Sequence, residues 1–271
     1  MRGRSLRGPT VALAAALAVA AVFAAAPADA ARLTAGLGPS ARLGQPSPIR
    51  LGLEIDDRPA TLKRIELKFP DGFGISTSGL GIAACRPPAA VIRAIVLPNT
   101  GGLGGCSPNA VIGFGSALAD VRIDTMTIPE LADVTVLTGS VSGARKLRLI
   151  YYIDGRHPFG ARLVFAGTLA QARPPWGGSI SLVVPSIPTL PSGATLALRR
   201  IRVSIGENVT YRERRGRRRV AYRPRAVAVP ATCPRRGFRF QARLVFADGY
   251  RTSSDAVVPC PRRAMAPRTR G

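Results

Sequence analysis

From residue 31 onward, apolar and polar residues alternate in short runs broken by turn-forming residues, the period of strands with one buried face. The clearest run is Phe238–Phe246. Phe238, Phe240, Ala242, Leu244 and Phe246 share one face, while Arg239, Gln241 and Arg243 share the other. Asp248-Gly249 supplies a two-residue turn, and Tyr250–Val258 returns as the partner strand. Lys146–Ile153 reads the same way, with Leu147, Leu149, Tyr151 and Ile153 opposite Lys146 and Arg148. In Thr61–Phe69, Ile65, Leu67 and Phe69 alternate with Arg64, Glu66 and Lys68, but Leu62 is displaced from that phase. Further strands are expected at Arg32–Leu37, Ile49–Ile55, Asn109–Ile123, Asp133–Gly143, Gly160–Leu169 and Ser179–Pro185. In Leu196–Ile205, Ile201, Val203 and Ile205 alternate with Arg200, Arg202 and Ser204 and lead into a hairpin that goes out at Val209–Tyr211 and returns at Val220–Tyr222. Helical periodicity is almost absent, and one short helix at Pro87–Ala94 is all the pattern allows. The expected fold is an all-β antiparallel sandwich, Ig-like, with a loop-rich insert over Ser78–Pro108. It would form one domain over residues 31–261, or two Ig-like halves dividing near 125–133. Pro185–Pro191 reads as an extended connector, and residues 262–271 as a disordered basic tail.

The N-terminus departs from this pattern. Arg2, Arg4 and Arg7 precede an uninterrupted apolar run from Val11 to Ala26, and Ala28-Asp29-Ala30 gives a small-x-small cleavage signature. Residues 1–30 therefore read as a secretory signal peptide cut before Ala31. The run of 16 residues is short for a membrane span. The mature chain is expected outside the cytoplasm, with no transmembrane segment. The four cysteines Cys85, Cys106, Cys233 and Cys260 fit an oxidising compartment. Cys85–Cys106 and Cys233–Cys260 is the preferred pairing of three, since each closes a short loop. A zinc site is disfavoured because no Cys-x-x-Cys is present.

These cysteines also anchor a resemblance. Thr77-Ser78-Gly79-Leu80, Cys85, Cys106-Ser107-Pro108 and Val111-Ile112-Gly113-Phe114-Gly115 form one motif set. Thr232-Cys233-Pro234, Phe238-Arg239-Phe240, Phe246-Ala247-Asp248-Gly249 and Pro259-Cys260 form the other. Together they resemble exported β-sandwich proteins of high-GC Gram-positive bacteria that carry two disulfide frames. Ser107 stands where that group commonly has proline, and Phe238 near where it has tryptophan. The resemblance implies a fold and a disulfide pairing, and no activity.

Composition restricts the chemistry. Lys+Arg is 39 against Asp+Glu 15, a net charge of +24, and only Lys63, Lys68 and Lys146 are lysines. This arginine excess accords with GC-rich coding, and it also suits anionic partners. The single histidine, His157, lies in an expected turn and has no nucleophile-elbow motif to serve. Oxidised cysteines cannot act as nucleophiles. Paired carboxylates could support glycoside hydrolysis without histidine, but the mature acids, among them Asp133 and Asp154, fall mostly at turns and on polar strand faces. Asp56-Asp57 has no calcium-loop continuation. The Gly-rich run 100–105 ends in Cys106 rather than Gly-Lys-Ser/Thr, so it is no phosphate loop. Trp176, the only tryptophan, is expected in a loop, and no cofactor or metal is indicated.

The most distinctive segment is the expected hairpin tip, Arg212-Glu213-Arg214-Arg215-Gly216-Arg217-Arg218-Arg219. Arginine's planar fork matches phosphate and carboxylate. Arg212, Arg214, Arg215, Arg217, Arg218 and Arg219 are therefore the candidate anion-binding residues, with an anionic envelope polymer or lipid headgroup as partner. Export disfavours nucleic acid as the physiological ligand, although the charge would bind it with steep salt dependence. The expected function is a non-catalytic, envelope-associated binding module. A carbohydrate-active enzyme is the competing class.

Overall fold

A computed structural model describes residues 30–56, 60–75, 84–86, 96–97, 106–141, 146–158, 162–184, 195–207, 209–223 and 227–263. Its strands, in chain order, are β1 (Ala31–Leu37), β2 (Arg42–Leu43), β3 (Pro46–Ser47), β4 (Ile49–Ile55), β5 (Leu62–Pro70), β6 (Gly74–Ile75) and β7 (Val96–Leu97). There follow β8 (Val111–Ile123), β9 (Met126–Val141), β10 (Lys146–His157), β11 (Arg162–Gln171), β12 (Trp176–Val183) and β13 (Thr195–Ile205). The last are β14 (Tyr211–Arg215), β15 (Arg218–Tyr222), β16 (Val227–Ala228), β17 (Phe238–Phe246), β18 (Arg251–Val258) and β19 (Arg262–Arg263). Among the described residues the one helical element is a 3-10 turn at Pro108–Ala110. The expected helix at Pro87–Ala94, the Gly-rich run and the Pro185–Pro191 connector lie outside the described residues.

The all-β, antiparallel expectation holds. Hydrogen bonding runs through one continuous sheet in the order β1-β4-β13-β8-β9-β10-β11-β12-β5-β17-β18, with β7 appended to β11. That path does not divide into the two packed sheets of an Ig-like sandwich. It curls until β1 lies alongside β18, giving a nearly barrel-shaped sheet. β9 covers residues 126–133 and is hydrogen-bonded to β8 on one side and β10 on the other.

The seam follows from parity. Neighbours along the eleven-strand path are antiparallel, so its first and last strands point the same way. β1 and β18 meet side by side and parallel, without a backbone ladder, and the Leu33 amide donates to Ser254 Oγ at 2.9 Å across the join. The molecule thus has a leading end, where β1 begins, and a trailing end, where β18 finishes. Three small sheets, β3-β16-β6, β14-β15 and β19-β2, supplement the main one. The last pairs Arg262 and Arg263 with Arg42 and Leu43, so structure continues two residues into the expected basic tail.

Inward-facing residues build the main core. Phe238, Phe240, Ala242, Leu244 and Phe246 are all buried, as their alternation predicts, and Phe73 meets Phe238 and Phe240 edge-on at 4.8 and 5.4 Å between ring centroids. Tyr151 stacks on Phe165 from the neighbouring strand. A second, smaller core forms on the outer face of β8–β11, where Cys85, Ala110, Val111, Leu137, Ile150, Tyr152 and Val164 pack together. β10 is therefore buried on both faces, which the reading of Lys146–Ile153 as a half-exposed strand did not anticipate. Both preferred disulfides are present, Cys85–Cys106 and Cys233–Cys260. Cys85 also donates its amide to the Thr138 carbonyl at 2.7 Å, fastening the insert over that second core.

Elsewhere the outer wall is mixed, with Phe114, Leu131, Val183 and Val257 exposed among charged residues. Arg32, Arg50, Arg202, Arg239 and Arg243 are exposed on it, where a membrane-spanning barrel would carry apolar side chains. No helix of the described residues is long and apolar enough to cross a membrane. Three β-bulges interrupt the wall at basic residues. Arg199 falls between Leu198 and Arg200 in the β13/β8 register, Arg156 between Gly155 and His157 in β10/β9, and Lys63 between Leu62 and Arg64 in β5/β17. A bulge sets two residues against one and re-aims a side chain. The displaced phase of Leu62 is the sequence trace of the third.

Candidate anion-binding site

The Arg-rich segment forms the expected hairpin, β14–β15, as a separate two-stranded ribbon at the trailing end. Gly216, at φ +60°, and Arg217 make its turn. A left-handed backbone there is what glycine tolerates, and it matches the twist of a two-residue hairpin. The register sets Tyr211 opposite Tyr222, Arg212 opposite Ala221, Arg214 opposite Arg219 and Arg215 opposite Arg218. Arg212, Arg214, Arg217, Arg218 and Arg219 are exposed. Two successive like-charge pairs directly across a ladder are destabilising, and an isolated two-stranded hairpin is marginal in water. The ribbon therefore depends on its attachment.

That attachment is made at its base. Tyr211 is fully buried, and its hydroxyl donates to the Val111 carbonyl at 2.9 Å. Asn109, in the 3-10 turn, acts as a side-chain clasp: its amide donates to the Arg212 carbonyl at 2.8 Å, and its oxygen accepts from the Arg212 amide at 3.1 Å. No sequence signal marks Asn109 for this role, since it lies 103 positions from Arg212. The chain entering the hairpin is held by Glu207, whose carboxylate accepts from Arg50 Nε at 2.8 Å and from Ser204 Oγ at 2.7 Å. The hydrogen bond from Arg50, followed by that from Ser204, holds the Glu207 carboxyl at about 2, well below the usual range. Arg50 is correspondingly raised by the same hydrogen bond and the charge of Glu207.

Most arginines of the barrel wall have acidic partners. Arg202 meets Glu54 at 2.8 Å, Arg199 meets Asp120 at 3.5 Å, Arg162 meets Asp154 at 2.8 Å, and Arg239 meets Asp255 at 3.0 Å. Arg156 Nε donates to Asp133 at 2.6 Å. These pairs use up much of the small acidic complement and leave the hairpin strongly positive.

The other candidates fall out as follows. Asp133 and Asp154 stand directly opposite one another on β9 and β10, an adjacency hidden in the sequence. Each is engaged by its own guanidinium, Arg156 and Arg162 respectively. His157 is not in a turn but ends β10, paired in register with Leu131. Trp176 is likewise not in a loop: it opens β12 and is half-buried, with the Arg239 guanidinium 5.7 Å from its ring centroid. Among the described residues no group of three or more His, Cys, Asp or Glu is placed to hold a metal ion. No protein family matches the chain, and no curated protein or solved structure matches it either.

Proposed function

We propose that this chain is an exported, non-catalytic binding module of the cell envelope that docks anionic polymer through the β14–β15 hairpin. The observation that carries the reading is the ribbon itself. Arg214 opposite Arg219 and Arg215 opposite Arg218 form a charge arrangement that disfavours the hairpin when nothing is bound. An anion laid across either pair removes that repulsion and adds charge-assisted bonds, so ligand binding and hairpin order reinforce each other. Export accords with the two disulfides and with the start of β1 at Ala31, the residue that would follow the cut.

The test is co-sedimentation of the disulfide-intact mature protein with purified cell envelopes at low and high salt, beside a variant with Arg212, Arg214, Arg215, Arg217, Arg218 and Arg219 changed to serine. Wild type is expected to sediment at low salt, to be released at high salt, and to lose its binding in the variant. Equal sedimentation of both proteins overturns the role of the hairpin.

A second reading, an extracellular carbohydrate-active enzyme, is favoured by one observation, the facing carboxylates of Asp133 and Asp154. If it holds, Asp133→Asn abolishes release of reducing sugar from envelope polysaccharide while wild type releases it. Against it, each carboxylate is already engaged by its own guanidinium, Arg156 and Arg162 respectively.

A further inference from the structure

The hairpin is not the only basic surface of the molecule, and a second one is concave. On the outer wall, where β12, β5, β17 and β18 approach the leading end, lies an open cleft of about 1190 Å³. Lys63, Arg64, Arg243 and Arg251 line it, and among the described residues Glu66 is its single acid. All four cations are exposed. Glu66 is turned toward Lys68, 3.7 Å away, and Arg243 donates to the amide oxygen of Gln241 at 3.0 Å. Among the described residues none of the four cations has a carboxylate partner, unlike the arginines paired elsewhere on the wall.

The register explains how four cations come to share one hollow. Arg64 and Arg251 both stand opposite Val245, one from each side. They are thus two strand spacings apart, ~10 Å. Arg243 lies two residues along β17 from Val245 on the same face, ~7 Å away. With Ile65 inward, regular alternation would turn Leu62 outward and point Lys63 inward. The bulge between Leu62 and Arg64 instead turns it outward, next to Arg64. The other two bulged cations, Arg156 and Arg199, each lean on an aspartate, whereas Lys63 is left facing the cleft. The bulge is pinned by the bond from the Val184 amide to the Lys63 carbonyl, 2.9 Å.

We propose that this cleft binds a linear, phosphate-bearing polymer. The inference rests on the reading of the molecule as a binder of anionic polymer, and it adds a second surface at the opposite end of the barrel from the hairpin. Shape selects the occupant. A hollow along a sheet wall follows a chain, whereas a lipid surface needs a projecting apolar contact. Chemistry selects it too. Arginine forks fit phosphate oxygens, and the hydroxyl of Ser253, opposite Arg243, adds a neutral donor on the same wall. Among the described residues no aromatic ring lines the cleft, so these residues offer none of the stacking platforms by which single-stranded nucleic acids are held.

The test is calorimetric titration of the mature protein, disulfides intact, with inorganic polyphosphate of defined length. Wild type is compared with Arg64→Ser/Arg243→Ser and with a control in which Arg235 and Arg236, exposed in a turn away from both basic surfaces, are changed to serine, removing equal charge. Anionic phospholipid vesicles serve as a parallel ligand, and urea midpoints confirm that all proteins are folded. The expected result is a loss of polyphosphate affinity of about tenfold or more in the cleft variant, with the control variant within about twofold of wild type. Lys63→Ser alone should weaken binding in the same direction. Equal losses in both double variants would mean that the whole positive field binds the chain, and would overturn the proposal. So would a cleft variant that binds like wild type, or vesicles that bind and depend on the same cleft arginines. Polyphosphate binding at the cleft in a protein that fails to sediment with envelopes would sink the hairpin reading and leave this one standing.

Discussion

Tyr211 sits at the boundary between the barrel and its basic hairpin, and one hydroxyl joins the two. Tyr211→Phe keeps the ring and removes the donor to the Val111 carbonyl. With the carbonyl left unpaired in a buried place, a cost of ~1–2 kcal/mol in urea unfolding is expected. Limited trypsin digestion should also cut within residues 212–219 faster in the variant than in wild type, because the ribbon has lost part of its base. Glu207 offers a pH-dependent counterpart. Its folded pKa of about 2 lies below the ordinary carboxyl value of 4.5. The stabilisation it contributes is therefore fully present above the unfolded pKa and disappears as pH falls through the folded one. Glu207→Gln should unfold at a lower urea concentration than wild type at neutral pH. The gap should narrow below about pH 4.5 and close near pH 2, as unfolding curves at stepped pH would show. The effect should be small, as befits a largely exposed ion pair.

At the scale of elements, strands were the most readable feature, because each depends on local alternation. β4 and β17 have the bounds that their apolar residues predict, and the turn at Asp248-Gly249 forms with Gly249 at φ +86°. The displaced Leu62 carried information about a bulge. What stayed hidden depends on partners distant in sequence. Ile150 and Tyr152 looked like ordinary members of a half-exposed strand until Cys85 and its neighbours covered them. Asn109 gained its role only by meeting Arg212, and Asp133 met Asp154 only through strand pairing. The hairpin arginines were legible because charge density needs no partner to be seen; the cleft was not, because it gathers residues from separate strands. The two disulfides differ accordingly. Removing either should cost ~3 kcal/mol by loop entropy, their sequence separations being 21 and 27. Cys85→Ala/Cys106→Ala should in addition increase binding of an apolar dye, since it loosens the cover over Ile150, Tyr152 and Val164. Cys233→Ala/Cys260→Ala should not.

For the whole molecule, the seam between β1 and β18 is the weakest join of the sheet, since it lacks a ladder. Hydrogen exchange should find amides of β1 that face the seam exchanging about tenfold or more faster than those of β9, which is paired on both sides. The odd number of strands that makes this seam also gives the chain a direction of travel. It comes in at one end of the barrel and goes out at the other, with the basic hairpin near the exit and the basic cleft near the way in. A bulky fluorescent protein or a surface tether fused ahead of Ala31 would therefore crowd the cleft and leave the hairpin clear, and one fused beyond Arg263 would do the reverse. The two attachment points are a built-in way of shielding one charged surface at a time without altering a residue of either.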